Sequence, residues 1–221
     1  RLHYTPNLGE NFSLTGFIGA ARSENRYDKT GAATQGGLIV PNYYSIENSL
    51  QKPTATTYAS WTRTNSVFGM ASLGYKSTLF VEVTGRQDWF STVSKPIFYP
   101  SVTASYVFSN SFKNLPSWFS YGKIRAGLAQ VGNDASAYVL KTYPVINNLF
   151  HGTPNYGVPD TQNNPDLLPE IKETKEAGID LQFFNSRLSL GFSVYDILSK
   201  DLILSLPVDA ANGYTYKNIN S

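Results

Sequence analysis

Apolar and polar residues alternate strictly over long stretches of this chain. From Asn65 to Asp88 two such stretches flank a two-residue turn at Lys76-Ser77. On the second stretch one face holds only apolar residues and glycine, whereas the other carries charge; in order they are Leu79, Val81, Val83 and Gly85 against Phe80, Glu82, Thr84 and Arg86. Since side chains on a β-strand alternate between two faces, the pattern predicts a β-hairpin with one apolar face.

The same unit recurs along the chain, and the connections alternate in length. The predicted strands are Asn11–Ala21, Thr57–Tyr75, Thr78–Asp88, Phe98–Ser109, Phe119–Val131, Ile171–Phe184 and Arg187–Lys200. Short turns at Lys76-Ser77 and Asn185-Ser186 contrast with long polar segments at 22–56 and 132–169. Membrane barrels have short periplasmic turns and long extracellular loops. The sequence therefore predicts an all-β fold, an antiparallel up-and-down transmembrane β-barrel segment of about seven or eight strands, with 22–56 and 132–169 as extracellular loops.

The two ends of the sequence extend this pattern. Residues 1–9 are interpreted as the tail of an earlier strand and its turn. Residues 201–221 are predicted to open another hairpin or loop that lacks its partner strand.

Composition narrows the function classes. Charged residues make up 15% of the 221 residues, below the roughly 25% of soluble domains, and no apolar run approaches the roughly 20 residues of a membrane helix. The absence of cysteine excludes disulfides and thiolate metal sites. The net charge is +2 with no Lys/Arg-rich run, so no nucleic-acid partner is expected. We expect neither a cofactor nor a metal, and His3 and His151 are interpreted as polar surface residues.

The charged residues of the strands lie on the face opposite the apolar one. They are the predicted lumen-facing set: Glu82, Arg86, Asp88, Lys123, Arg125, Glu176 and Asp180. We expect an ion pair between Arg86 and Asp88, and pairing of the carboxylates with Lys123 and Arg125 or with backbone groups inside the lumen. A glycosidase would need two carboxyl groups about 5–10 Å apart. No coherent acid/base or metal constellation accompanies these carboxylates, so the chain is not predicted to be an enzyme.

Aromatic residues outside the strands are candidates for ligand contact. They are Tyr43, Tyr44, Trp89, Tyr143 and Tyr156, with Phe150 in the same loop as the last two. Sugar rings stack on aromatic faces, and peptide ligands use the same side chains differently. The alternative is that these loops pack on one another and on a capping partner.

Four stretches of the sequence resemble a known family. They are NSVFGMASLGYKSTLFVEVTGRQDWFSTV, FYPSVTASYVFS, LPSWFSYGKIRAGLAQVGND and the run from NPDLLPE through IKETKEAGIDLQFFNSRLSLGFSVYDILSKDLI. Together they resemble the barrel of SusC/RagA-type TonB-dependent transporters, from about Leu38 onward. Leu168 stands where the family usually has a basic residue.

The resemblance implies properties that alternation alone does not. It implies a barrel of 22 strands with an N-terminal plug, of which residues 1–221 would be a segment of the C-terminal half, without the plug and TonB box. It implies import of a glycan or oligopeptide across the outer membrane of Bacteroidota. A SusD-like lipoprotein would cap the barrel, and TonB would supply energy through the plug.

The NPDLLPE segment also has a structural interpretation. Pro165 and Pro169 fix the backbone, and Asp166 is predicted to bond local amides in an Asx-type turn. The segment would then set the register of the strand that begins at Ile171.

A second function stays open at this point, a secreted or surface β-sandwich that binds carbohydrate. It predicts that a second sheet covers Leu79, Val81 and Val83.

Overall fold

The computed structural model describes residues 1–112 and 114–221, apart from the side chains of residues 147–150. Its strands are β1 (Leu2–Tyr4), β2 (Phe12–Leu38), β3 (Ser49–Tyr75), β4 (Leu79–Phe90), β5 (Ile97–Tyr106), β6 (Phe119–Asn133), β7 (Val145–Phe150), β8 (Thr153–Gly157), β9 (Thr161–Gln162), β10 (Glu170–Phe183), β11 (Leu188–Lys200), β12 (Ile203–Pro207) and β13 (Tyr216–Asn220). Short 3₁₀ helices span Ile46–Asn48, Phe108–Ser111 and Ala210–Asn212. Within the described ranges, no helix is long and apolar enough to cross a membrane.

Eight strands form the main sheet, in the order β1-β2-β3-β4-β5-β6-β10-β11. The neighbours in this sheet whose register is resolved pair antiparallel. The predicted all-β, antiparallel, up-and-down arrangement is therefore confirmed. The eight strands of the main sheet agree with the predicted seven or eight.

The two predicted short turns form at the expected residues. The amide of Thr78 donates to the carbonyl of Tyr75, and that of Arg187 donates to the carbonyl of Phe184. The central residues are left-handed in both turns, with φ of 49° at Lys76 and 51° at Ser77. Such turns match the twist of the flanking strands, although non-glycine residues adopt them at some cost.

The register of the sheet separates apolar from polar side chains over many strands. Val83 of β4 lies opposite Ala71 of β3 and Val102 of β5, whereas Glu82 lies opposite Ser72 and Thr103. We refer to these two sides as the apolar face and the polar face.

The apolar face is exposed in the described part of the chain. Val83 is 52% exposed and Leu79 is 42% exposed, so no second sheet covers them there. The β-sandwich alternative is therefore wrong for this chain.

The prediction that 22–56 is irregular is wrong. β2 and β3 each contain 27 residues, so regular strand structure covers 22–38 and 49–56. Residues 23–63 form a compact unit of their own. Most of their side chains are exposed on both faces, so backbone pairing forms there without the apolar alternation by which the other strands were predicted.

The end of this unit is an ordered turn around Asn48, which is 5% exposed. Its side-chain amide donates to the carbonyls of Val40 (2.8 Å) and Tyr43 (2.7 Å), and its Oδ1 accepts from the amide of Val40 (2.9 Å). The buried side chain thus satisfies the backbone of the turn.

Three further predictions need correction. Residues 132–169 contain the hairpin of β7 and β8. Residues 201–221 contain β12 and β13, which pair with each other, and β13 also pairs with β9. The partner strand missing from the sequence prediction is thus present. The strand predicted at Phe98–Ser109 ends at Tyr106, because Phe108–Ser111 turns as a 3₁₀ helix.

A β-bulge lies beside the second short turn. Gln182 pairs with Tyr121, whereas the next residue, Phe183, pairs with Phe119. Ser120 is therefore the extra residue, and it places Phe119 level with Phe183 on the apolar face. Trp118 stacks on Phe183 there, and Phe119 lies edge-on to both, with ring centroids 5.5–6.1 Å apart.

Candidate functional site on the polar face

Two charged clusters lie on the polar face. The first is at the end of β4 away from the short turn. Nε of Arg86 lies 2.8 Å and 2.9 Å from the two carboxylate oxygens of Asp88, and its guanidinium also donates to Oγ of Ser66 at 2.8 Å. Arg86 lies 5.6 Å from the ring of Phe68, its cross-strand partner. The predicted ion pair is confirmed, and β3 supplies the groups that orient it.

The second cluster surrounds Arg125 of β6. Its guanidinium lies 2.9 Å from Glu176 and 3.7 Å from Asp180, and donates to Oγ of Ser193 at 2.7 Å. The cluster therefore links β6, β10 and β11 side by side. The expected pairing of carboxylates with Arg125 is confirmed for Glu176 and Asp180.

A glycine explains how the guanidinium lies so close to the sheet. Gly178 pairs with Arg125 across β6 and β10. A Cβ atom at this glycine would lie 2.9 Å from Nε of Arg125 and 3.1 Å from the carbonyl oxygen of Phe192. The arginine thus lies over the backbone where any other residue would displace it.

A depression of about 310 Å³ adjoins this cluster. Its lining includes both basic side chains of β6 and two of the predicted carboxylates, namely Lys123, Arg125, Glu82 and Glu176. Lys123 lies directly opposite Asp180 in the register. A water-accessible surface with charges of both signs can bind a polar segment of polypeptide or a hydrated ligand.

Comparison with known families decides what this sheet belongs to. The family model described as "TonB dependent receptor-like, beta-barrel" matches residues 2–221. The chain belongs to this family of TonB-dependent receptors.

Two curated TonB-dependent receptors of Formosa agariphila, P26 and P3, are each 26% identical to this receptor chain over 96% of its length. The chain spans 22% of the length of each. The predicted membership of the TonB-dependent family is therefore confirmed.

Among solved structures, the RagAB peptide transporter superposes with a TM-score of 0.85 at 20% identity, over 99% of this receptor chain and 25% of that chain. The siderophore receptor PirA from Pseudomonas aeruginosa superposes with a TM-score of 0.57 at 16% identity, over 99% of this chain and 36% of its own. These likenesses show the fold, that of a segment of a receptor barrel.

The predicted ligand-contact aromatics of the receptor chain belong to three different segments of the chain. Trp89 belongs to β4 rather than to a loop, and lies on the apolar face with Val83. Tyr43 and Tyr44 lie in the turn of the 23–63 unit, and Tyr44 is 85% exposed. Tyr143 and Tyr156 are 58% and 65% exposed in the segment between β6 and β10. The side chain of Phe150 lies outside the described residues.

The NPDLLPE prediction is correct in its turn but wrong in the residue that closes it. The side chain of Asn164, rather than that of Asp166, accepts the turn bond, from the amide of Asp166 at 2.9 Å. An asparagine Oδ1 two residues before the amide is a standard Asx-turn acceptor.

Sequence reasoning missed the polar partners of the two charged clusters, Ser66 and Ser193. Only the cross-strand register brings these serines to the arginines.

Proposed function

We propose that this chain is part of the wall of an outer-membrane barrel that imports a nutrient. The apolar face would contact lipid, and the polar face would line the lumen or contact a plug domain. The carrying observation is the way the apolar band crosses the hydrogen-bonded rows of the sheet.

One row of directly paired residues provides the reference. It runs across β3, β4, β5, β6 and β10 through Tyr75, Leu79, Tyr106, Ile124 and Ile179.

The apolar residues of neighbouring strands form a band across the sheet. On β3 this band begins at the reference row, whereas on β10 it begins four residues nearer the short turn. On β3 it runs from Tyr75 to Val67, and on β10 from Phe183 to Ala177. Relative to the reference row, the band on β10 has moved by about four to six residues over four strand spacings. At about 3.3 Å per residue and 4.8 Å per spacing, this shift corresponds to a strand tilt of roughly 35–45°. Membrane barrels have this tilt.

The height of the band agrees with the same interpretation. From Val67 to Tyr75 the strand covers roughly 27 Å, or about 20 Å along the membrane normal after correction for tilt. The apolar belt of outer-membrane barrels is about 25 Å tall. Polar residues follow at its upper edge, and Lys175 and Asp196 lie directly opposite each other there.

The finer parts of the proposal rest on the family. We propose active import that is driven by TonB through a plug, with a SusD-like surface lipoprotein as cap and no bond chemistry. The substrate would be a glycan or an oligopeptide. Support for the peptide class comes from the likeness to a structure described as a peptide transporter.

Uptake by the native organism tests this function. Deletion of the full-length gene should abolish growth on one polymeric nutrient class and leave growth on its monomers unchanged. Growth on peptides and on glycans, measured in parallel, separates the two classes. Unchanged growth of the deletion strain on both nutrient classes, together with absence of the protein from the outer-membrane fraction of the wild type, would contradict the proposal.

A further inference from the structure

Two segments far apart in the sequence are bonded to each other, and both leave the main sheet at the same end of its strands. They are residues 134–169, between β6 and β10, and residues 201–221, after β11; we call them together the loop body. β9 of the first pairs in parallel with β13 of the second, Thr161 opposite Tyr216. The carbonyl of Asp160 accepts from the amides of Thr215 (2.9 Å) and Tyr216 (3.0 Å).

Asn163 holds the first segment together and joins it to the second. Its Nδ2 donates to the carbonyls of Tyr138 (3.2 Å) and Lys141 (2.8 Å). Its Oδ1 accepts from Nδ2 of Asn218 at 2.9 Å. One side chain thus satisfies backbone groups of its own segment and a side chain 55 residues further along.

Asn220 does the same from the other side. Its Oδ1 accepts from the amide of Leu168 (2.9 Å), and its Nδ2 donates to the carbonyls of Leu168 (3.0 Å) and Asp201 (2.7 Å). The amide therefore acts as a strand partner for Leu168. The adjacent Leu167 is fully buried, with 0% exposure.

Glu170 anchors the loop body at the first residue of β10. Its carboxylate accepts from the amide of Ile203 at 3.1 Å and from Nδ2 of Asn133 at 3.3 Å. One carboxylate thus contacts the end of β6 and the start of β12. Opening either segment would break bonds of the other and leave its backbone groups unpaired, which is costly.

We propose that the two segments are a single conformational unit, in which Asn163 and Asn220 are positioning residues that keep both segments in one arrangement. A depression of about 340 Å³ is lined by both, with Tyr156 and Pro159 from the first and Tyr214 from the second. Its walls therefore keep their spacing only while the segments stay joined. This inference concerns the movement of the loops and does not depend on what the receptor imports.

Hydrogen exchange on the full-length receptor in detergent tests the coupling. Asn220→Ala should speed the exchange of amides at 203–206 and at 167–168 together, by at least tenfold. Asn212→Ala is the matched control, because it removes an exposed asparagine side chain of the same segment and leaves the turn bond from its backbone amide to the carbonyl of Asp209. Faster exchange confined to residues 201–221 would overturn the proposal.

A cross-link provides a second measurement if Asn220→Ala fails to fold. Thr161→Cys with Tyr216→Cys joins β9 to β13, and residues 1–221 contain no other cysteine. Oxidation should leave exchange in both segments within twofold of the reduced protein, since they already move together. Slower exchange in either segment after oxidation would show independent movement and overturn the proposal.

Discussion

Arg86 and Asp88 lie two residues apart on β4 and bind each other on the polar face, with Nε 2.8 Å from the carboxylate. Their environments differ sharply, because the side chain of Asp88 is 7% exposed and that of Arg86 is 46% exposed. The nearly buried carboxylate depends on the arginine, whereas the arginine head can be hydrated without its partner.

Removal of the two partners should therefore have unequal effects. Arg86→Ala leaves a carboxylate with little access to water, so we expect it to lower the free energy of unfolding by about 1–2 kcal/mol more than Asp88→Asn does. This figure is below that of a fully buried pair because Arg86 is half-exposed. Urea unfolding of the full-length protein in lipid vesicles, followed by tryptophan fluorescence, measures the difference.

The double variant Arg86→Ala with Asp88→Asn serves as the control. It removes the stranded charge, so it should be more stable than Arg86→Ala alone. Equal destabilisation by the two single substitutions would contradict the inferred asymmetry.

A pair of adjacent positions tests the assignment of faces. Val102 lies on the apolar face opposite Val83, and Thr103 lies on the polar face opposite Glu82. Val102→Arg should cost about 2–4 kcal/mol if that face meets the middle of the bilayer, whereas Thr103→Arg gains a neighbouring carboxylate and should cost less than about 1 kcal/mol. Vesicle unfolding of both variants measures this, and equal costs would contradict a lipid-facing apolar face.

The first short turn offers a stabilising substitution. Ser77 has φ of 51°, where glycine has no Cβ penalty, so Ser77→Gly should stabilise by a few tenths to about 1 kcal/mol. Ser77→Val should destabilise, because β-branched residues fit this region poorly. The midpoint of thermal unfolding in detergent gives both signs, and a more stable valine variant would count against the left-handed turn.

Alternation predicted the strands only where the two sides of the sheet differ. β4 and β10 were found within a few residues because their faces have opposite chemistry. Residues 23–38 were missed because most of their side chains are exposed on both faces, so their sequence shows no period of two. The faces of Arg125, Glu176 and Asp180 were predictable for the same reason.

Which of these side chains touch is fixed by register, which alternation does not give. Arg125 contacts Glu176 and Asp180 because Gly178 pairs with it and leaves space over the backbone. The bonds of Asn163 to Asn218 and of Asn220 to Leu168 were equally unpredictable, because they join residues more than 50 positions apart.

The Arg125 cluster leads to a last prediction, in which stability and function separate. The side chains of Arg125, Glu176 and Asp180 are each about 40% exposed, so solvent screens their attraction. Exposed ion pairs contribute at most about 1 kcal/mol, and Arg125→Ala should therefore change the free energy of unfolding by no more than that.

If the cluster binds a plug domain or the substrate from the lumen, the same variant should reduce uptake several-fold without loss of folded protein. Gly178→Ala is the structural counterpart, because its Cβ would displace the guanidinium and should reduce uptake while Arg125 is still present. Normal uptake by both variants, at wild-type amounts in the outer membrane, would show that the cluster only joins the strands.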